Sequence, residues 1–214
     1  MIWQTSDYRK QKHMDRTPGQ PSERLLLWID AVGGYLVCLG EGVILGQPSA
    51  SGAIDVPILG DLSFRHARIR RDGEGYLLEA FRDVWLDGRR VDHLALLGDG
   101  SKIQLGSSVK LIFRRPHALS ATARLDFASR HHTQPSVDAI LLMADSCVLG
   151  PRPHSHVVCP DWPQEVVLYR QEGQLCCRSS GLFEIDGARC QDRGPLRRSS
   201  RVVGPHFSLS LEPF

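Results

Sequence analysis

Three short motifs in the first half of the chain combine residue types that bind anions. They are Gly46-Gln47, Ser63-Phe64-Arg65-His66 and Asp87-Gly88. Serine and arginine side chains donate hydrogen bonds to anionic oxygens, and glycine lets the main chain approach a ligand closely. The first two motifs flank turn residues between runs that alternate as strands do. This arrangement predicts an anion site built from loops on a β scaffold.

The scaffold is predicted from short apolar runs that recur from Leu25 onward. Gly, Asp-Gly or Pro interrupts them roughly every 6 to 12 residues, which is typical of a sandwich or barrel. In the run from Val109 to Arg114 apolar and polar residues alternate with period two. No window favours a long amphipathic helix. The chain is therefore predicted to be all-β, with antiparallel β-sandwiches.

In order and separation, the three motifs and the runs between Leu25 and Pro116 resemble the forkhead-associated (FHA) domain. This family is a β-sandwich that binds phosphothreonine peptides, and its core reads Gly-Arg, Ser-x-x-His and Asn-Gly. The resemblance implies a non-catalytic protein-interaction module. It implies phosphopeptide contacts at Gln47, Ser63, Arg65 and Asp87-Gly88, and a structural brace made by Gly46 and His66.

Only the motif Ser63-x-x-His66 matches the family fully. Gln47 replaces the arginine, and a neutral hydrogen bond is worth about 1 kcal/mol against about 1.5 to 3 for a charged one. Asp87 replaces the asparagine and adds a carboxylate that repels phosphate. Arg65 is displaced by one position from the usual basic residue. The predicted site is thus partly degenerate.

Two interpretations stay open at this point. In the first, the site binds phosphothreonine peptides. In the alternative, Ser63 only caps its loop, His66 is a buried hydrogen-bonded residue, and the chain is a structural or assembly scaffold. The nearby arginines either build a positive pocket or face solvent from their strands: Arg65, Arg68, Arg70, Arg71, Arg82, Arg89 and Arg90.

The second half of the chain repeats the pattern of the first. Val148-Leu149-Gly150-Pro151 matches residues 44–47, and Phe183–Arg189 matches residues 85–90. Where the first half has Ser63-x-x-His66, the second has roughly residues 163–166, Pro-Gln-Glu-Val. The predicted organisation is a flexible arm (1–22), an FHA-like sandwich (23–116), a connector (117–138) with an extended part along a sandwich edge, and a degenerate FHA-like sandwich (139–214).

Other chemistry is weakly indicated. His154, His156 and Cys159 are zinc-ligand types, but their spacing fits no structural zinc pattern. Cys176 and Cys177 lie in a strand-like run without a base, and the phosphate-binding glycine motifs are absent. We therefore expect no enzyme, no cofactor and no metal.

Charge and composition limit the partners. With 26 basic and 24 acidic residues the net charge is +2, which does not indicate nucleic-acid binding. No apolar run approaches the roughly 20 residues needed to span a bilayer, and no secretory signal is recognised, so a cytoplasmic protein without membrane contact is expected. The six cysteines are expected as free thiols. The expected partner is a phosphorylated protein or peptide, including the chain's own arm through Thr5 or Thr17.

Overall fold

The computed structural model describes residues 23–49, 54–73, 75–117 and 119–214, so the predicted arm (1–22) lies outside the described residues. The described residues form 21 strands and no helix, which confirms the all-β prediction. The first strands are β1 (Arg24–Ile29), β2 (Gly33–Cys38), β3 (Gly42–Gly46), β4 (Val56–Leu59), β5 (Ala67–Asp72), β6 (Gly75–Ala80), β7 (Val84–Leu86), β8 (Arg89–Arg90), β9 (Leu94–Leu97), β10 (Lys102–Leu105) and β11 (Val109–Arg114). They continue as β12 (Ala123–Phe127), β13 (His132–Thr133), β14 (Ala139–Leu142), β15 (Ser146–Gly150), β16 (Val157–Val158), β17 (Val166–Gln171), β18 (Gln174–Ile185), β19 (Ala188–Pro195), β20 (Arg201–Val203) and β21 (Ser208–Pro213). None of the described residues forms a helix able to cross a membrane.

The strands form two sheets. The smaller has six strands in the order β13-β4-β3-β5-β6-β9. The larger has fifteen, in the order β16-β15-β17-β18-β20-β21-β1-β2-β14-β12-β11-β10-β7-β8, with β19 paired to β18. Most neighbours are antiparallel, as predicted, but β2–β14, β3–β4 and β15–β16 are parallel, so both sheets are mixed.

The period-two pattern of β11 appears directly in its burial. Val109, Leu111 and Phe113 are buried in a core, whereas Lys110 and Arg114 are exposed. Successive side chains on a strand point to opposite faces, so alternation in the sequence becomes alternation between core and solvent. This strand is the clearest case in which sequence periodicity predicted the packing.

Strands β1, β2 and β14, in the middle of the larger sheet, are covered on both faces. On β2, Leu36 packs in a core cluster with strands β3 to β12, while Tyr35 and Val37 pack in a second cluster with strands β15 to β21. On β1, Leu26 joins the first cluster and Leu27 the second. Strands buried on both faces read as continuous apolar runs, which accounts for the uninterrupted leucines of β1.

Strands from the two halves of the chain pair with each other in the middle of the larger sheet. β12 pairs with β11 and β14, and β1 pairs with β21. The expectation of an edge segment in the connector is therefore wrong, since β12 lies inside the sheet and Leu125 is fully buried in the first core. Ile140 and Leu142 of β14 also pack in that core. Each core thus uses strands from both sequence units.

Corresponding strand pairs recur in the two halves. Leu45 pairs in parallel with Val56 and antiparallel with Ala67. Leu149 pairs in the same two ways with Val157 and Val166. The matched registers support the internal repeat that the sequence predicts, and the parallel pair β2–β14 lies where the two halves meet.

Candidate functional site

Gly46 ends β3 in close contact with the segment 63–66. A Cβ atom added at Gly46 would lie 1.9 Å from the carbonyl oxygen of Phe64, so no other residue fits without moving that segment. The Gln47 amide donates a hydrogen bond to the Ser63 carbonyl (3.1 Å), and the His66 amide donates to the Leu45 carbonyl (2.9 Å). The structure therefore brings the motifs 46–47 and 63–66 into direct contact.

His66 links this loop to the segment between β6 and β7. Its ring is buried, Nδ1 accepts a hydrogen bond from the Ser63 amide (3.2 Å), and Nε2 donates to the Asp83 carbonyl (2.9 Å). Its own carbonyl accepts from the amides of Phe81 and Arg82, both at 3.1 Å. These contacts suit the brace that the resemblance implies, and they hold residues 63–66 beside residues 81–83.

Three predicted contact residues lie together at the surface of this loop. Gln47 and Arg65 are exposed and Ser63 is half-buried. The Ser63 hydroxyl makes no hydrogen bond with any residue that the structure describes. The Arg65 guanidinium lies 5.4 Å from the centre of the Phe81 ring, a distance at which a cation is attracted to an aromatic face. The surface thus offers an amide, a hydroxyl and a positive charge.

Asp87 and Gly88 are not part of this surface. They form the turn between β7 and β8, with positive φ at both residues (50° and 80°). The Asp87 carboxylate accepts a hydrogen bond from the Lys102 amide (2.8 Å). Asp83 and Asp87 lie four positions apart on nearly extended chain, about 13 Å at 3.3 Å per residue. The prediction of a peptide contact at Asp87-Gly88 is corrected, because the turn lies at the far end of β7.

Arg82 and Asp83, and not Asp87 and Gly88, lie beside the loop that contains Ser63 and His66. Arg82 is exposed beside His66, and the Asp83 carboxylate is paired with Arg90 at 2.7 Å. The sequence indicated this position for Arg82, because a turn joins β5 to β6 and makes them a hairpin. Its open end places the residues after β6 next to those before β5, with Ala67 paired to Ala80.

The second half keeps the corresponding turn but not the loop. Asp186 has φ of 53°, and its carboxylate accepts from the Arg201 amide (2.8 Å) as Asp87 does from Lys102. Hydrogen bonding to the Arg201 amide and the Ser200 hydroxyl lowers the pKa of Asp186.

The strand registers also align the two loops. The pairs Leu45–Ala67 and Leu149–Val166 place Glu165 opposite His66 in the alignment and Trp162 opposite Ser63, one position earlier than the sequence indicated. Trp162 is buried in the second core. The histidine brace and the serine are therefore absent from the second loop.

Replacement of His66 is expected to destabilise the protein. His66→Ala leaves the Ser63 amide and the Asp83 carbonyl without their partners, and each buried unsatisfied group costs about 1 to 3 kcal/mol. We expect the free energy of unfolding, measured in urea, to fall by a few kcal/mol. His132→Ala, at an exposed histidine, is the matched control. Unchanged stability with lost peptide binding would instead make His66 a direct ligand.

The remaining candidate clusters lack reactive geometry. All six cysteines are free thiols, and burial raises the pKa of Cys147, Cys159 and Cys177 to about 12. Thiols that stay protonated at neutral pH are poor nucleophiles and poor metal ligands. His154 and His156 lie near His117, yet among the described residues no three such side chains are placed to hold a metal ion.

Comparison with known proteins gives one consistent likeness. No protein-family model and no curated protein matches the chain. Solved structures that it resembles include several FHA domains. One, described as an analysis of phosphothreonine-dependent FHA domain interactions, is 29% identical, covers 39% of this chain and 88% of its own, and has a TM-score of 0.28. The FHA domain of CT664 from Chlamydia trachomatis is 25% identical over 39% of this chain and 89% of its own (TM-score 0.28).

A third similar structure spans most of the chain. The N-terminal FHA domain of EssC, a component of the bacterial type VII secretion apparatus, is 11% identical and covers 89% of this chain and 92% of its own, with a TM-score of 0.25. Because all three TM-scores lie below 0.5, a role for this chain has to be argued from its own residues.

Proposed function

We propose that the chain is a non-catalytic interaction module that binds a phosphothreonine peptide at the surface formed by Gln47, Ser63, Arg65 and Arg82. The observation that carries the proposal is the loop geometry around His66. That residue makes three hydrogen bonds to residues 81–83 and a fourth to the Ser63 amide of its own loop, and the Ser63 hydroxyl has no partner among the described residues. A donor held in place without an internal partner is suited to an external acceptor.

Arg65 supplies positive charge at this surface. It makes no ion pair with a described residue, and its position over Phe81 directs it toward the segment 81–83. The acidic residue of that segment, Asp83, is paired with Arg90. An incoming phosphate therefore meets Arg65 and Arg82 without an uncompensated carboxylate in residues 81–83. Charge-assisted hydrogen bonds of this kind are the stronger ones.

The test uses the full chain, since each core needs strands from both halves. Calorimetric titration with a phosphothreonine peptide library, its phosphoserine equivalent and the unphosphorylated library is expected to show binding of the first alone. Ser63→Ala is expected to abolish it, while Ser107→Ala, at an exposed serine on the loop between β10 and β11, leaves it unchanged. Equal binding of phosphorylated and unphosphorylated peptides would favour the alternative of an assembly scaffold.

Gln47→Arg is expected to tighten phosphopeptide binding by roughly tenfold, the difference between a neutral and a charged hydrogen bond. Gln47 is exposed at the end of β3, so a longer side chain fits without repacking. Titration of the variant and of Gln134→Arg, an exposed glutamine on another loop, measures the effect. An unchanged affinity would show that position 47 does not reach the phosphate.

The chain's own arm is a second source of the ligand. Thr17 lies 6 residues before Glu23, where the described structure begins. A tether of that length gives millimolar effective concentration wherever it spans the distance. We expect phosphorylation at Thr17 to protect the site from added peptide, and unchanged titration by added peptide after phosphorylation would contradict this.

A further inference from the structure

The outer face of the larger sheet carries a groove that is separate from the Ser63 loop. A cleft of about 740 Å³ lies near β8, but the groove in question is smaller, about 420 Å³, and crosses strands β7, β10 and β11. On β10 and β11 the side chains of Ile103, Leu105, Val109 and Leu111 point into the first core. The residues that alternate with them therefore face away from that core and form the wall of the groove. Trp85, Lys102, Gln104, Lys110 and Ile112 line it from these three strands.

The strand pairing fixes how these side chains are arranged. Lys102 is directly opposite Ile112, Gln104 is opposite Lys110, and Trp85 is opposite Gln104 on the other side. The two lysines are therefore diagonal neighbours, about 7 to 8 Å apart at their Cα atoms. Ile112, opposite Lys102, and Trp85, opposite Gln104, are both half-buried and add apolar surface beside the lysines.

The groove is positively charged and lined by no carboxylate. Neither lysine forms an ion pair within the described part of the chain. Of the carboxylates just outside the lining, that of Asp87 accepts a hydrogen bond from the Lys102 amide (2.8 Å), and that of Asp126 is engaged by Arg124 (2.5 Å) and Arg114 (4.0 Å). Two ammonium groups without an ion-pair partner among the described residues, beside the apolar surface of Ile112 and Trp85, suit a ligand that is both acidic and apolar.

We propose that this groove, Trp85-Lys102-Gln104-Lys110-Ile112, is a second docking surface that takes an acidic, extended peptide segment. Residues i and i+2 of an extended peptide lie about 6.6 Å apart on one face, which matches the diagonal of the two lysines. Carboxylates at those positions pair with Lys102 and Lys110, and an apolar side chain at i−2, on the same face, packs on Trp85, the diagonal neighbour of Lys102 on β7.

A nucleic acid fits this surface less well. Binding of a single strand needs several aromatic rings on which successive bases stack. The groove has one, and Trp85 is half-buried. The net charge of +2 also provides little attraction for a polyanion. The segment expected here is therefore part of an acidic protein.

The test compares three labelled probes by fluorescence anisotropy on the full chain: the peptide Leu-Ser-Glu-Ser-Glu-Ser, which has its leucine and both glutamates on one face when extended, its counterpart with glutamine for glutamate, and a deoxythymidine decamer. We expect the acidic peptide to bind, with an affinity that falls as salt rises, and the glutamine peptide to bind at least tenfold more weakly. Lys102→Glu with Lys110→Glu is expected to weaken the acidic peptide at least tenfold.

The matched control reverses two exposed charges elsewhere, Arg178→Glu with Arg193→Glu, a cross-strand pair on β18 and β19. Thermal unfolding of both double variants checks that they fold as the wild type does, and Lys102→Gln with Lys110→Gln gives the same reading should the reversal unfold the chain. Equal binding of the glutamine peptide, an equal loss in the control, or tighter binding of the decamer would overturn the proposal.

Discussion

A chain cut after Pro116 is expected to lose cooperative folding. The cut removes β12 and β14, and with them the buried side chains of Leu125, Ile140 and Leu142 from the first core. Burial of each such side chain contributes about 1.5 to 3 kcal/mol, so together they account for about 5 to 9 kcal/mol. Typical domains are stable by about 5 to 15 kcal/mol in total.

The cut also exposes the second face of β1 and β2. Leu27, which packs in the second core, would face water, and β1 would lose its partner β21. Urea unfolding followed by tryptophan fluorescence is expected to show no cooperative transition for residues 1–116. Residues 1–116 and 117–214, expressed together, are the control and are expected to associate and to recover the transition. A cooperative transition in residues 1–116 alone would establish an independent domain, as the sequence predicts for 23–116.

The strand content of this chain could be predicted because it depends on local pattern. Apolar alternation in β11 and the turns at Asp87-Gly88 and Asp186-Gly187 follow from steric rules that act within a few residues. The predicted repeat rests on the same kind of signal, since strands that fill equivalent places need the same alternation.

The partnership of those strands could not be predicted from the same rules. Whether β1 pairs with β11 or with β21 depends on which edge is available after both halves have formed. The runs RLLLWI and ARLDF carry no preference between two similar partners. The apolar content of β1 on both faces was a signal that it is covered twice, and sequence alone did not say by what.

In the candidate site, too, the contacts between local motifs could be predicted, whereas the position of Asp87 could not. The contact between Gly46 and the segment 63–66 follows from motifs that are local in character, and the position of Arg82 follows from the hairpin that contains β5 and β6. Asp87 has a residue type similar to that of the motif, but the three residues of β7 separate it from Asp83 and carry it away from the site. The distance along a strand decides which side chains share one end of a sandwich.

Acidification below pH 6.5 is expected to destabilise the protein through one buried histidine. His156 is fully buried, its Nδ1 accepts a hydrogen bond from the Val148 amide (2.8 Å), and its Nε2 has no partner among the described residues. Its ring stacks at 5.8 Å on that of His117, and its carbonyl accepts from Arg124. Burial first, and then the neighbouring His117, lower the pKa of His156 from 6.5 to about 4.

The folded chain favours the neutral form of the His156 imidazole, so protonation of this group opposes folding. Above pH 6.5 the histidine is neutral in both the folded and the unfolded chain, and its contribution to stability is fully present. As the pH falls from 6.5 toward 4 the unfolded chain takes up a proton that the folded chain refuses, so stability is lost. A difference of this size corresponds to about 3 kcal/mol once the pH reaches the folded value.

The variant His156→Asn isolates this effect. The register of β15 and β16 aligns His156 with Asp55, whose carboxylate accepts from the Ile44 amide at 2.8 Å. An asparagine oxygen therefore preserves the bond to Val148 and cannot titrate. Urea unfolding between pH 7 and pH 5 is expected to show a falling free energy for the wild type and for the exposed control His132→Asn, and a flatter profile for His156→Asn. Identical slopes in all three proteins would show that His156 takes up its proton as readily in the folded chain as in the unfolded one.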